Sequence, residues 1–491
     1  MSVKKEETHH ILNKIFSHFD YLLLGLVVFI LLIPKFQLIS VGGTYVNIRI
    51  EDFVVAAVYM LWLAGLFSGR FSLKNVLNFK IIIFYLIYGL AITILGIFVF
   101  KTVDPWHLGI LHWLRRVEYL GMYLVAATVL KRKNLKEYLY ILLIVGILAW
   151  IYGVLQWKDI VPGVHTLSKS GQVGTYRDLG YVISTFAAHY DFGAFLILMS
   201  LLSWWGYFSH QGRKYKFFFL GLVLGFWWMA LLAYARAAYM GLLVSAVFVL
   251  TAKLSPWAVL PLAEIINTFN RYLGGKFSLY SYNFQFKREV IQPTRQAFPT
   301  PDVVRPTRTP QLTLTPKPID KALSPLPSPP QLTQRAGSVR DYLDSFVNTW
   351  SNTLNKYIGK IDINLDPSAN IRLKEWPDRL AKVNYHFLWG GGYYAGGLGA
   401  DNDYLRRLLE VGVIGLSVFL LILLDFIRLS WRRFRSSNNL YEKHFHLIMA
   451  AYMIGLLVEA VFIDIFAASK IAFSFWFLMG MVSQFSGIDS K

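Results

Sequence analysis

The sequence is divided into long apolar runs by short polar connectors, and this pattern constrains the fold more than any other feature. Runs such as 21–34 and 80–100 contain almost no charged residues. Apolar segments of about 20 residues cross the hydrocarbon core of a bilayer as helices. Only 16% of the residues are charged, whereas soluble domains carry about 25%. The sequence therefore predicts an all-α fold, a polytopic transmembrane helical bundle.

The apolar runs predict about twelve membrane spans. One of them, 256–273, is short and carries Glu264, and it is included because the charges of the connectors require one more crossing before the last three spans. The other eleven lie at 20–34, 50–68, 79–100, 117–130, 136–156, 188–208, 216–233, 237–252, 403–427, 444–465 and 469–487.

The net charge of +20 comes from basic residues between the apolar runs. They lie in the connectors 70–80, 131–133, 213–216 and 428–435 and do not form one continuous patch, which argues against a nucleic-acid partner. Basic connectors belong on the cytoplasmic side of a membrane. The lipid bilayer is therefore the expected partner, and both termini are expected to be cytoplasmic. The chain has no cysteine, which excludes disulfides and thiolate metal sites.

This topology divides the chain into three regions. Residues 1–273 hold the first nine spans and an external loop at 157–190, 274–402 form a large external loop, and 403–491 hold the last three spans. Within the large loop, 292–337 contains eleven of the eighteen prolines. Such a Pro/Thr-rich segment buries too little apolar surface to fold, so we expect a disordered insert.

Short helices are predicted on both sides of the glycines that end the large loop. Apolar residues at helical spacing indicate an amphipathic helix at 339–358, and a second helix is expected at 368–387. The glycines at 390–392 and 396–397 then predict a turn before the next span.

Three polar residues open that span, Asp401, Asn402 and Asp403. One interpretation is a helix N-cap, because Asp and Asn side chains accept hydrogen bonds from free backbone N–H groups. The other is a catalytic or substrate-orienting carboxylate, since three polar residues exceed what one cap needs. The Asp-Xaa-Asp spacing also occurs in metal–diphosphate sites, but it is common by chance, and we expect no metal here.

The segment that follows resembles the O-antigen ligase and O-antigen polymerase superfamily. The glycine-rich turn is followed by Asn402-Asp-Tyr404-Leu405 and then by Leu409-Glu410-Val-Gly412-Val-Ile-Gly415. The resemblance makes Asn402, Tyr404, Glu410 and Gly412 structural motif residues. Further similar segments occur in family order at 47–52, 184–193, 235–237 and 368–376.

The chain departs from the ligase pattern at one position. The ligases carry an essential histidine before the asparagine, and Asp401 stands there in this chain. The segment is also similar to that of the SEDS peptidoglycan polymerases, whose functional aspartate corresponds to Asp403. The resemblance therefore implies Asp403 or Asp401 as the catalytic residue, with His386 and His189 as further candidate bases.

Several arginines are expected on the same side of the membrane as these carboxylates. Arg236, Arg372 and Arg177 are candidate ligands for a diphosphate, because guanidinium groups bind phosphates in a bidentate manner. For each there is a simpler interpretation: Arg236 as an interfacial arginine, Arg177 as a solvated loop charge, and Arg372 as a local ion pair. Arg115 and Arg116 are predicted to anchor the start of a span.

The resemblance implies a glycosyltransferase. It would move a saccharide from undecaprenyl diphosphate to a hydroxyl of an acceptor glycan, lipid or protein, at the outer face of a bacterial cytoplasmic membrane. Arginines supply the positive charge, so neither a metal nor a nucleotide cofactor is expected. The alternative is a transporter or flippase for a lipid-linked glycan or a small molecule. That class would place charged residues and broken helices within the spans of two similar halves.

Overall fold

Helices make up most of the described secondary structure. The computed structural model describes residues 16–34, 37–40, 47–74, 76–164, 173–174, 176–253, 376, 386–395, 397 and 401–485. The helices in these segments are α1 Phe19–Leu32, α2 Ile50–Phe67, α3 Phe79–Phe98, α4 Trp106–Val129, α5 Leu135–Trp157, α6 Tyr176–Leu179, α7 His189–Ser209, α8 Arg213–Leu232, α9 Arg236–Lys253, α10 Asp403–Ser436, α11 Leu440–Glu459 and α12 Ser469–Phe485.

Local sequence explains where several helices begin and end. Helix α1 ends at Leu32, just before Pro34, since a residue that precedes proline disfavours the helical conformation. Pro105 is the N-cap of α4, a position where its missing N–H costs nothing. The side chain of Asn439 caps α11 by accepting hydrogen bonds from the N–H groups of Tyr441 and Glu442.

The chain is a multi-pass helical membrane protein. Within the described segments, seven helical stretches are long and apolar enough to cross a membrane. These are α2, α3, α7, α8, α9, α10 and Arg132–Trp157, which joins a short 3₁₀ helix to α5. Helix α1 is apolar but shorter.

The interior of the bundle is formed mainly by α7, α11 and α12, most of whose residues are buried. Helix α12 packs along α4, and α11 packs along α7, α9 and α10. Large apolar side chains project outward from the surrounding helices, such as Phe67 (90% exposed), Ile87 (63%) and Leu224 (62%). A surface of this kind is suited to lipid chains rather than to water.

Two ends of the bundle are distinguished by their polar contacts. At one end, Lys131 pairs with Asp20 and Arg132 pairs with Glu442. At the other end, α2, α4, α10 and α12 begin, and α1, α3 and α11 finish. We call the latter the charged end, because most of the buried ion pairs described below lie there.

The structure corrects two of the predicted spans. The span predicted at 117–130 is only the second half of α4, which begins at Trp106. Arg115, Arg116 and Glu118 therefore lie inside a helix. The span predicted at 403–427 continues to Ser436 and has a break at Gly412. The other spans predicted within the described segments coincide with helices to within a few residues, except that α11 ends at Glu459 rather than near 465.

Two small antiparallel ladders were not predicted. Gln37–Ser40 (β1) pairs with Asn47–Arg49 (β2), and Gly163–Val164 (β3) pairs with Val173–Gly174 (β4). Both ladders lie in connectors, where short strands satisfy backbone groups that no helix contains.

Several predictions fall outside the described residues. They concern the span at 256–273, the insert at 292–337 and the helix at 339–358. Of the helix predicted at 368–387, Trp376 is described and is helical, whereas 386 and 387 belong to a turn. All described residues belong to one compact unit, Met1–Val259 with Leu343–Lys491. The second unit, Leu260–Tyr342, contains no described residue.

Candidate functional site

Helix α10 is interrupted at Gly412, where the backbone has φ 65° and ψ −173°. Essentially only glycine adopts this conformation. The break removes partners from helical carbonyl and N–H groups on both sides of Gly412. In the interior of a membrane protein such groups must be satisfied by other parts of the chain.

The partners come from the backbone of residues 386–393, which we call the glycine loop. The loop supplies N–H donors to the carbonyls before the break and carbonyl acceptors to the N–H groups after it. The four hydrogen bonds are Gly391 N–H to Leu409 O (2.8 Å), Gly392 N–H to Glu410 O (2.9 Å), Val413 N–H to Phe387 O (3.0 Å) and Ile414 N–H to Leu388 O (3.3 Å).

The two backbones approach so closely that side chains are excluded. A Cβ atom on Gly412 would lie 2.4 Å from the carbonyl oxygen of Leu388, and one on Gly390 would lie 2.5 Å from the carbonyl oxygen of Glu410. Both glycines also have positive φ. We call this arrangement of the glycine loop in the break of α10 the glycine interlock.

Helix α3 holds the other side of the glycine loop. The hydroxyl of Tyr88 donates to the carbonyl of Trp389 (2.9 Å), and the N–H of Tyr393 donates to the hydroxyl of Thr93 (3.1 Å). Gly96 makes room for the loop, since a Cβ atom there would lie 2.2 Å from the carbonyl oxygen of Gly391. The loop is therefore fixed between α3 and α10.

Beside the glycine interlock, Glu410 lies between two arginines from different helices. Its Oε1 accepts a hydrogen bond from Nε of Arg406 (3.1 Å), and its Oε2 lies 3.7 Å from Nη2 of Arg116. The carboxylate is 2% exposed. None of the described residues donates a hydrogen bond to Oε2. A buried carboxylate oxygen with remaining acceptor capacity is suited to bind a hydroxyl group.

The same arginines connect α4 and α10 to the segment before α12. Arg406 also pairs with Asp464 at 2.6 Å, and Arg116 donates to the carbonyl of Phe466 at 3.2 Å. Asp464 in turn accepts the N–H of Asn402 at 3.1 Å. These contacts fix the two guanidinium groups in place.

Asp403 forms a second buried ion pair with Arg407, one helical turn further on. Both side chains are almost fully buried, and Oδ2 of Asp403 accepts the N–H of Phe466 at 2.7 Å. The guanidinium group of Arg407 lies over the ring of Phe419, 3.8 Å from its centroid. Both carboxylate oxygens of Asp403 are thus engaged in contacts within the protein.

A third group of charges lies at the start of α2. Arg115 donates to Asp52 and to Glu118, at 2.7 Å in each case. Arg49 lies 3.6 Å from Glu51 and donates to the hydroxyl of Ser469 at 3.3 Å. These residues connect the start of α2 to α4 and α12.

An imidazole group adjoins the pair formed by Glu410 and its arginines. His112 of α4 stacks on Tyr394, with ring centroids 5.5 Å apart and an angle of 19° between the planes. Electrostatic interactions connect this ring with Arg406, Glu410 and Arg116. The charged end therefore combines guanidinium, carboxylate and imidazole groups. The described part of the chain contains no cluster of three or more His, Asp or Glu residues able to hold a metal ion.

The three polar residues that open α10 have different roles in the structure. Asn402 is the N-cap, and its side chain accepts the N–H of Leu405 at 2.9 Å, so the capping interpretation is confirmed for this residue. Asp403 is paired with Arg407 inside the helix. Asp401 is half-buried, with φ 41°. Tyr404 donates its hydroxyl to the carbonyl of Leu457 at 2.6 Å, which joins α10 to α11.

The two candidate histidines lie at different places. His386 begins the glycine loop, and its ring stacks on Phe100 at 4.2 Å. Burial lowers the pKa of His386 below its usual value and so favours the neutral imidazole. His189 is the first residue of α7, and its ring lies 4.4 Å from that of Tyr181.

The three candidate diphosphate ligands are not brought together by the described contacts. Arg236 is the first residue of α9 and is exposed. Arg177 pairs with Asp159 at 2.9 Å, and its side chain is 86% exposed. Arg372 lies outside the described residues.

Sequence reasoning did not identify Arg406, Arg407 and Asp464, and it interpreted Arg116 wrongly. Arg116 is 7% exposed and is paired inside the bundle, so it is not an anchor at the membrane interface. One signal was present in the sequence. Two Arg-Arg pairs, 115–116 and 406–407, interrupt segments that are otherwise apolar, and charges inside membrane helices usually face partners within the protein.

No model of a known protein family matches this chain, and no curated protein matches it. What the site does must therefore be argued from its chemistry and from the motif resemblance.

Proposed function

We propose that the protein is a glycosyltransferase that uses a polyprenyl-diphosphate-linked donor, of the O-antigen ligase or polymerase type. The observation that carries this proposal is the placement of Arg116 and Arg406 on either side of Glu410, beside the glycine interlock. Two fixed guanidinium groups can stabilise a diphosphate as its negative charge increases. A buried carboxylate oxygen with free acceptor capacity can orient a hydroxyl group.

The proposed reaction is a direct displacement. The oxygen of an acceptor hydroxyl forms a bond with the anomeric carbon, and the bond from that carbon to the diphosphate oxygen breaks. The electron pair leaves with the polyprenyl diphosphate, whose charge the arginines stabilise. The hydroxyl proton passes to a base. A diphosphate is a good leaving group, so no general acid is needed.

The geometry supports some candidate bases more than others. Asp401 and His386 are half-buried, and burial favours the neutral form of the His386 imidazole, which has one acceptor nitrogen. Asp403 is already paired with Arg407 and with the N–H of Phe466, so it is the weaker candidate. His189 remains a proposed base. The proposed diphosphate ligands remain Arg236, Arg177 and Arg372.

Turnover of a synthetic polyprenyl-diphosphate disaccharide by the purified protein in lipid nanodiscs tests the proposal. We expect release of polyprenyl diphosphate when a mixture of glycan, lipid and peptide acceptors is present. Arg116→Lys and Arg406→Lys should each lower the rate about 10- to 100-fold, because an ammonium group cannot reproduce the planar fork. The matched control is Arg428→Lys, an exposed arginine near the other end of α10, and it should leave the rate unchanged.

The transferase assignment would be wrong if no acceptor supported release by correctly folded protein. The site assignment alone would be wrong if the unmodified protein turned the donor over and both lysine variants did so at the same rate.

The proposal includes a topology with twelve spans in a bacterial cytoplasmic membrane and the charged end outside. Its support is the basic character of the connectors at the other end. Reporter fusions at Lys133, Lys216 and Arg435 should therefore be cytoplasmic, and one at Pro318 should be external. A cytoplasmic reporter at Pro318 would mean that the span at 256–273 does not exist, and the large loop would then lie on the wrong side for the donor.

A transporter or flippase is the second candidate, and the break in α10 is the observation that favours it. Discontinuous membrane helices commonly surround substrate sites in transporters. Proteoliposomes that contain a fluorescent polyprenyl-diphosphate sugar distinguish the two functions. Movement of the label between leaflets without release of polyprenyl diphosphate would favour transport.

A further inference from the structure

A carboxyl group without hydrogen-bond partners lies at the end of α11. Glu459 is 0% exposed. Neither Oε1 nor Oε2 accepts a hydrogen bond from any of the described residues. An ionised carboxylate in such surroundings would lose its hydration and gain no compensating hydrogen bond, which disfavours the charged form.

The electrostatic surroundings of Glu459 make ionisation still less favourable. The charged residue that acts on it is Asp191 of α7, another carboxylate. Helices α9, α10 and α12 also carry charged residues, among them Arg236, Asp403, Arg407 and Lys470. Asp403 and Arg407 pair with each other. Lys470 donates hydrogen bonds to the carbonyls of Leu31, Ile33 and Thr185. Two neighbouring carboxylates, one of them fully buried, repel each other strongly when both are ionised.

A second buried polar atom lies on the same face of α11. The hydroxyl of Tyr452 is also buried, and it interacts electrostatically with Glu459. Residues seven apart are two turns apart on one face of a helix, at a rise of about 10 Å. This face of α11 is therefore polar in a part of the bundle that is otherwise apolar.

We propose that Glu459 is a proton-binding site at which the bundle holds one proton at neutral pH, in the interface between α7 and α11. Bound there, the proton keeps the Glu459 carboxyl neutral beside Asp191 and allows α7 and α11 to pack. Its release would place two negative charges in the interface and drive the two helices apart. Proton binding and the packing of α7 on α11 are thus coupled.

A second glutamate on α11 provides a contrast within the same helix. Glu442 is also buried, at 8% exposure, but its two oxygens accept hydrogen bonds from Nε and Nη2 of Arg132, each at 2.7 Å. A bidentate ion pair of this kind keeps a carboxylate ionised. The two residues should therefore differ in their reaction with reagents that require a protonated carboxyl group.

Dicyclohexylcarbodiimide is such a reagent, because it adds to protonated carboxyl groups in apolar surroundings. The protein in lipid nanodiscs is treated over a range of pH and digested, and the adducts are located by mass spectrometry. We expect the adduct on Glu459 at neutral pH, less of it as the pH rises, and none on Glu442. Absence of the adduct from Glu459 at acidic and neutral pH in folded protein would overturn the proposal. Protection by sodium at constant pH would also overturn it, since the site would then bind a metal cation.

The melting temperature provides a second measurement that does not depend on labelling. The folded protein holds a proton that the unfolded chain has released above the ordinary carboxyl range, so raising the pH should lower the melting temperature. Glu459→Gln is neutral at every pH and should weaken this dependence. The control Glu442→Gln should retain it. An equal pH dependence in the unmodified protein and Glu459→Gln would contradict the proposal.

Discussion

Replacing Gly412 with alanine is expected to be the most damaging single substitution in the glycine interlock. Alanine does not adopt the backbone conformation of Gly412, and its Cβ atom would lie 2.4 Å from the carbonyl oxygen of Leu388. The strained conformation costs about 1–3 kcal/mol, and each interlock hydrogen bond that is lost costs about 1 kcal/mol. We expect a total loss on the order of 3–5 kcal/mol, measured as the melting of purified protein in detergent.

The matched control is Gly69→Ala. Gly69 also has a positive φ, 70°, but a Cβ atom there would meet nothing within 4 Å. This substitution should cost about 1 kcal/mol, the cost of a left-handed conformation alone. If the Gly412 and Gly69 variants melted at the same temperature, the close approach of the glycine loop to α10 would contribute nothing to stability.

A large effect is also expected when the ion pair of Asp403 and Arg407 loses one partner. Asp403→Asn leaves the Arg407 charge buried without its counter-ion, which typically costs about 3–5 kcal/mol. The double variant Asp403→Asn with Arg407→Gln removes both charges and should regain much of that stability. The control is Asp425→Asn, which breaks the exposed pair with Arg428 on the same helix and should change stability by at most about 1 kcal/mol.

The double variant also separates stability from chemistry. If Asp403 is the catalytic base, the double variant should melt near the unmodified protein and still transfer glycan about 10²–10⁴-fold more slowly. If Asp403 only pairs with Arg407, the double variant should recover transfer together with stability. A double variant that melted no higher than Asp403→Asn would show that the two residues are not energetically coupled.

The helices were predictable where apolar residues form unbroken runs. Helix α3, for example, was predicted at 79–100 and observed at Phe79–Phe98, because its hydropathy depends only on local sequence. The start of α4 was missed, since Arg115 and Arg116 interrupt the run. Arg115 pairs with Asp52 and Arg116 with Glu410, both distant in sequence, so the local sequence could not identify these partners.

Only part of the candidate site was predictable from the sequence, and the contacts between its parts were not. The glycines at 390–392 and the polar triplet were correctly expected to lie next to the start of α10. The expected turn is present, and its backbone groups also pair with those on both sides of Gly412. Backbone pairing of this kind leaves no signal in side-chain patterns beyond the glycines themselves. Asp403 and Arg407 are four residues apart, a spacing at which side chains on a helix meet. The N–H of Phe466, the other partner of Asp403, is distant in sequence.

The glycine interlock has a consequence for how the chain is assembled during synthesis. Helix α10 leaves the ribosome about 300 residues after α3. The backbone groups at the break of α10 need the glycine loop as their partner. That loop is in turn held in place by α3. Until the three meet, α10 exposes carbonyl and N–H groups that lipid cannot satisfy. The early helix must therefore stay accessible in the membrane until α10 has been inserted, which makes the pairing of the first and last parts of the chain a late step in biogenesis.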